Sequence, residues 1–213
     1  MNKTESSALL AILVPIGIAA VLTVPVTMLY SSFRAYQVPT NSMDKTLMAG
    51  DHLIGQIRGM GPIHRGEIVL YRYPPDPRQV NVKRIAAVPG DRLKIINKQL
   101  YLNGKAEQEP YIQHASSFTD SYRDNFPSEP ETMIFPGAQA MLRDDVVNGE
   151  VVVPPGKYFV LGDNRDLSLD SRYFGFVDGS QIFGKPLFIY LSLETPPGGS
   201  PRMRPERFLK RVD

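Results

Sequence analysis

Cysteine and tryptophan are absent from the 213 residues, and histidine occurs three times, at His52, His64 and His114. Without cysteine there are no disulfides and no thiolate metal sites, and the redox compartment is left open. The three histidines have no metal-ligand spacing, so neither a metal nor any other cofactor is expected. A dominant charge is lacking as well: 24 basic against 22 acidic side chains leave a net charge of +2, which does not call for a nucleic-acid partner. The 19 prolines and 17 glycines favour a turn-rich chain of short strands over a helical bundle.

One long apolar run is present. Ala8 to Tyr30 extends for 23 residues without a charged side chain, and as a helix it would be about 35 Å long, enough to cross a hydrocarbon core. Pro15 and Pro25 would bend such a helix without barring it, and Tyr30 and Phe33 suit the interface. The run is too long for a cleaved signal peptide, and no Ala-x-Ala follows it. Residues 8–30 are therefore read as a transmembrane helix after a short segment, 1–7. Lys3 with the terminal amine on one side and Arg34 on the other leave its direction open.

From residue 38 the pattern changes to short segments of period two. His52–Ile57, Glu67–Tyr73, Val80–Val88, Arg92–Ile96 and Gln99–Leu102 read as strands, and Asn103-Gly104 is a hairpin turn. Pro74 to Pro77 and Pro89-Gly90-Asp91 read as loops. Val151–Val153, Lys157–Leu161 and Gln181–Leu191 read as strands again. The fold class is mainly β, packed antiparallel sheets, with the core split into 31–105 and 151–194. Between them, residues 106–150 carry nine acidic and two basic side chains without a clear period, and read as a solvated insertion or a cap over the core. Residues 195–213 reverse the charge, with five basic against two acidic side chains. They read as a solvated basic tail able to meet anionic lipid.

Three segments bear chemistry: Val38 to Leu47 with Ser42, Asn81 to Ile85 with Lys83, and Gly162 to Tyr173. A serine hydroxyl needs a base to become a nucleophile. A Ser-His-Asp triad is disfavoured, because no Gly-x-Ser-x-Gly elbow is present and His52 and His64 sit in no site-like stretch. Ser42-Met43-Asp44-Lys45 matches an S-x-x-K pattern, yet Pro39, Thr40 and Asn41 suit a turn rather than the helix that pattern needs. Lys45 is therefore read as a solvated charge. Lys83 is the remaining candidate: Val82, Ile85, Ala86, Ala87 and Val88 make its strand apolar, and burial lowers a lysine pKa. On spacing alone a strand-edge lysine in water remains the simpler reading. Gly162 to Tyr173 reads as a polar loop with an Asp170–Arg172 pair, and such loops are where sites are often built.

Taken in order, these segments resemble the bacterial type I signal peptidases. The matching features are the N-terminal anchor, Pro39-Thr40-Asn41-Ser42-Met43 with Thr46-Leu47 and Gly50-Asp51, and Arg65-Gly66-Glu67-Ile68-Val69. They continue with Lys83-Arg84 and Pro89-Gly90-Asp91, then Gly162-Asp163-Asn164-Arg165-Asp166 through Ser168 to Gly175. Residues 106–150 and the tail are not covered. The resemblance implies a Ser/Lys dyad, with Ser42 as nucleophile and Lys83 as general base. It implies an oxyanion hole from Thr40 and the Ser42 N–H, an orienting hydroxyl at Ser168, and a supporting pair, Asp170 and Arg172. The implied substrates are secreted preproteins cut after small residues (Ala-x-Ala type), with Val38, Pro39 and Met43 as pocket lining. It also sets the direction of the anchor: a single-pass protein of the cell membrane, in contact with membrane lipid, N-terminus cytoplasmic and catalytic domain outside. Asp44-Lys45, where many members have proline three residues after the serine, is a departure near the groove. The alternatives are a specialised paralogue with one exported or conjugation-related substrate, and a non-catalytic membrane-tethered β module.

Overall fold

The computed structural model describes residues 31–57, 59–196 and 198–213. The transmembrane helix expected over 8–30 and the segment 1–7 lie outside the described residues. Among the described residues, no helix is long and apolar enough to cross a membrane.

The larger sheet begins with β1 (Phe33–Gln37), β2 (Asp51–Gln56), β3 (Ile68–Tyr73) and β4 (Asp76–Ala87). In β2, Asp51, Leu53 and Gly55 alternate inward, the period of a half-covered strand, whereas β3 is covered on both faces. Pro74-Pro75 alone joins β3 to β4, so the loop expected over Pro74 to Pro77 is shorter than read. Asp76 already pairs with Tyr73, and Pro77 is tolerated because it lies near the start of its strand. The smaller sheet starts with β5 (Arg92–Ile96), β6 (Gln99–Leu102) and β7 (Lys105–Ala106). The Asn103-Gly104 turn joins β6 to β7 with both residues at positive φ, as the sequence signal requires.

Helix α1 (Pro136–Asp144) is followed by β8 (Val146–Val147), β9 (Glu150–Val152) and β10 (Lys157–Leu161). Then come α2 (Ser171–Phe174), β11 (Val177–Asp178), β12 (Ile182–Glu194) and β13 (Arg202–Met203). Strand order is β1-β2-β12-β3-β4-β10-β11, with β13 on β12, in one sheet, and β7-β6-β5-β9-β8 in the other. The pairing among these strands is antiparallel, which agrees with the mainly β reading.

Two expectations need correcting. Residues 106–150 are not a purely solvated insertion. Tyr122, Phe126, Ala138 and Met141 are buried in one apolar cluster with Leu93, Ile95, Val151 and Phe159. Their acidic neighbours hide them in the sequence, and α1 opens on Pro136, a residue preorganised for a first helical turn. Nor is 195–213 a free solvated tail. Strand β13 pairs with the end of β12, Val212 packs beside Val38, Met43 and Leu47, and Arg207 is buried. Two of its basic residues, Arg204 and Arg207, find fixed carboxylate and carbonyl partners on the core.

Candidate active site

The turn carrying Ser42 follows β1 and leads into β2. Within it Asp44 N–H donates to the Asn41 carbonyl, Leu47 N–H to Met43, Gly50 N–H to Val38 and Val38 N–H to Asp51, while the Asn41 and Asp51 side chains accept from Ala49 and Met48 N–H. Loop 162–170 grips it from outside. The Asn164 N–H donates to the Ser42 carbonyl at 3.1 Å, and the Asn164 side chain donates to the Asn41 carbonyl at 3.1 Å. Gly162 sits where a Cβ would fall 2.4 Å from the Ser42 carbonyl oxygen and 2.2 Å from Ser168 Oγ, so only glycine lets these segments close together.

Lys83 reaches the same point from β4. Its Nζ donates to Ser42 Oγ at 2.5 Å, and it is 4% exposed. Burial pushes its pKa from 10.5 down to about 8; Asp170 and Asp163 pull it up and Arg172 pushes it down. Thr40 Oγ1 lies 3.2 Å from Ser42 Oγ. Lys45, by contrast, is exposed. His52 rests its ring edge on Tyr190, and His114 pairs with Asp166. Among the described residues, no histidine hydrogen-bonds Ser42.

Behind the pair stand two buried ion pairs. Asp170 caps α2, accepts Gly162 N–H at 3.1 Å, and takes a forked pair from Arg172 Nε and Nη2 at 2.8 and 2.7 Å. Burial acts to raise its pKa, but Arg172 and these donors outweigh it and hold the carboxylate ionised. Ser168 is buried; its hydroxyl makes no hydrogen bond of good geometry but acts on the Asp170 carboxylate, helping to lower its pKa. The second pair was not legible in the sequence. Arg84 Nε and Nη2 donate to Asp163 at 2.9 and 2.8 Å, Thr46 donates to the same carboxylate at 2.6 Å, and Tyr111 stacks on the guanidinium at 3.8 Å.

A segment of 106–150 also joins the site. Gln113 exchanges backbone hydrogen bonds with Asp163 and Arg165 and donates from its side chain to Asp44 at 3.0 Å, while Glu109 pairs with Arg165. An acidic stretch without a period offers no signal for this docking.

Ser42 and Lys83 lie in the wall of a cleft of about 270 Å³ whose other walls include Tyr36, Val38, Pro39, Leu70, Asn81 and Val82. Met43 is a correction. It is fully buried in the cluster with Leu47 and Ile189 and does not line the cleft, because the turn points its side chain into the core. The cleft runs along β4 where β10 pairing has ended at Leu161↔Arg84, so among the described residues β3 is the only strand partner of 79–83.

The profile described as signal peptidase, peptidase S26, matches residues 8–191. The chain belongs to the signal peptidase family, peptidase S26. Signal peptidase IB of Staphylococcus aureus is 35% identical over 155 residues, covering 72% of this chain and 75% of its own. Signal peptidase I of Bacillus caldolyticus is 38% identical over 160 residues, covering 74% and 79%. A crystal structure of a signal peptidase I from Enterococcus faecalis V583 covers 60% of this chain and 98% of its own at 30% identity, with a TM-score of 0.45. As a family member of the signal peptidase I type, the chain is a serine endopeptidase, a hydrolase. Ser42, Lys83 and loop 162–170 fall inside the matched residues, and 192–213 fall outside them.

Proposed function

We propose that this signal peptidase cleaves N-terminal signal peptides from exported preproteins after small residues, with Ser42 as nucleophile and Lys83 as general base. The observation that carries the reading is the buried 2.5 Å contact between Lys83 Nζ and Ser42 Oγ. Proton acceptance requires the amine to be neutral. At pH 7 a lysine of pKa 10.5 is neutral in roughly one molecule in three thousand, and one of pKa about 8 in roughly one in ten. With the amine neutral the contact reverses: the Ser42 hydroxyl donates to Nζ, and Oγ attacks the scissile carbonyl.

The remaining groups take roles around that transfer. The Ser42 N–H and the Thr40 hydroxyl serve the developing oxyanion, where preorganised donors count most. Ser168, buried beside Asp170, has a hydroxyl to offer the ammonium that forms when Lys83 takes the proton. Asp170 and Arg172 hold loop 162–170 against the Ser42 turn. The leaving amine takes its proton from Lys83, and water attack on the acyl-enzyme repeats the sequence with Lys83 again as base.

The substrate lies extended along the unpaired part of β4, adding a strand as peptides do at open sheet edges. Alternate side chains then face one wall, so two shallow hollows two residues apart select small residues at −1 and −3, with Val38 and Pro39 among the lining. Residues 8–30 anchor the chain in the cell membrane in a single pass, N-terminus cytoplasmic and catalytic domain outside, in contact with membrane lipid. An Ala-x-Ala peptide assay tests the reading: cleavage by the wild type, and none by Ser42→Ala or Lys83→Ala, is expected. Near-normal cleavage by folded Lys83→Ala contradicts the dyad.

A further inference from the structure

Residues 202–213, outside the span matched by the family, also close on the turn that carries Ser42. Arg207 is 5% exposed. It donates from Nε to Asp51 Oδ1 at 2.9 Å and from Nη2 to Asp51 Oδ2, and Nη2 donates as well to the Thr46 carbonyl at 3.0 Å. Asp51 is the closing residue of that turn. Its carbonyl accepts the Val38 N–H at 2.8 Å, its Oδ2 accepts the Met48 N–H at 2.8 Å, and its Oδ1 accepts the Ser192 hydroxyl at 2.6 Å. Arg204 Nη2 adds a bond to the Ala49 carbonyl at 2.6 Å, and Val212 packs in the cluster of Val38, Met43 and Leu47.

A turn whose own bonds converge on Asp51 is thus also held at two points, Thr46 and Asp51, by the one planar guanidinium of Arg207, with Arg204 Nη2 3.7 Å from Asp51 Oδ1. The fork geometry matters, since arginine meets a carboxylate with two parallel donors and lysine with one point charge. Ser42 lies four residues before the first pinned point, and Thr46 also binds Asp163 in the loop that holds the Ser42 carbonyl. A nucleophile displaced by about 1 Å from its base loses on the order of a hundredfold in rate. We propose that Arg207 is a positioning residue for Ser42: by fixing Asp51 and the Thr46 carbonyl together, it sets the turn that brings Ser42 Oγ to Lys83 Nζ. The proposal rests on the reading of Ser42 as nucleophile.

Arg207→Ala, assayed on an Ala-x-Ala peptide with the full chain below its melting temperature, is expected to lose about 10- to 100-fold in kcat with KM changed less than about threefold. Guanidinium ion at low millimolar concentration should restore part of that kcat, and should do nothing for the wild type or for Val212→Ala. Arg207→Lys should fall between wild type and Arg207→Ala. Unchanged kcat in folded Arg207→Ala, a loss carried by KM alone, or a loss that guanidinium leaves untouched overturns the proposal. If Arg207→Ala does not fold, Arg207→Lys carries the test, and wild-type kcat in that protein overturns it. Ser42→Ala separates the two claims. Cleavage by Ser42→Ala defeats the nucleophile reading, whereas inert Ser42→Ala beside fully active Arg207→Ala defeats only the positioning role.

Discussion

Lys83 and Arg84 follow one another on β4 and are 4% and 5% exposed, yet their surroundings treat a buried cation in opposite ways. Arg84 is well compensated: a forked bond to Asp163, the carbonyls of Gly66 and Asp213, and the Tyr111 ring on its face. Lys83 has Ser42 Oγ as its single hydrogen-bond partner among the described residues, and the nearby carboxylate of Asp170 is already committed to Arg172. One side of the strand uses charge to lock the loop that holds the Ser42 turn. The other offers little compensation, and burial pushes the amine pKa down to about 8. Lowering the pKa from 10.5 to about 8 means that the charged form costs the folded state about 3 kcal/mol. On the proposed reading, stability is spent here for reactivity.

The contrast breaks most sharply at Lys83 itself. Lys83→Met should lower kcat by at least about a thousandfold, the range of a lost general base, while its melting temperature at pH 7 stays equal to or above that of the wild type. A drop in both would mean that Lys83 is structural. Arg84→Met should do the reverse to stability, costing about 3–5 kcal/mol by leaving Asp163 buried without its cation; denaturant titration measures it, and a loss below about 1 kcal/mol would show the pair to be dispensable.

Smaller effects sharpen the electrostatics. Because the folded state holds the Lys83 proton less tightly than the unfolded chain does, raising the pH from about 8 towards 10.5 should stabilise the fold, and below about 8 the full cost is present. That gain should vanish in Lys83→Met. Asp170 raises the Lys83 pKa, so Asp170→Asn should shift the rising limb of kcat/KM to lower pH, and a shift to higher pH would reverse the assigned sign. The least effect is expected from the histidines: His52→Ala and His64→Ala should change kcat less than about twofold, and a loss of several orders of magnitude would restore a histidine base.

The sequence carried the strands of the core well, because their period-two patterns and the Asn103-Gly104 turn are local signals. Ser42 and Lys83 were legible for a different reason: short segments in a fixed order resemble a family, and the apolar run around Lys83 supplied the chemical sense. Partners chosen across long distances were not legible. Arg84 finds Asp163 79 residues on, and Arg207 finds Asp51 156 residues back; neither carries a local mark. The acidic stretch misled because its average polarity concealed Tyr122 and Phe126, two buried rings in edge-to-face contact. Met43 misled because adjacency to Ser42 says nothing about which way a turn points its side chain.

On the proposed mechanism Lys83 is kept dry and poorly compensated so that it can act as a base. Titrating the protein with ε-13C-labelled lysine by NMR, and assigning Lys83 by its loss in Lys83→Met, tests it most directly. A midpoint near 8 is the predicted result. A midpoint at the ordinary lysine value of 10.5 would contradict it.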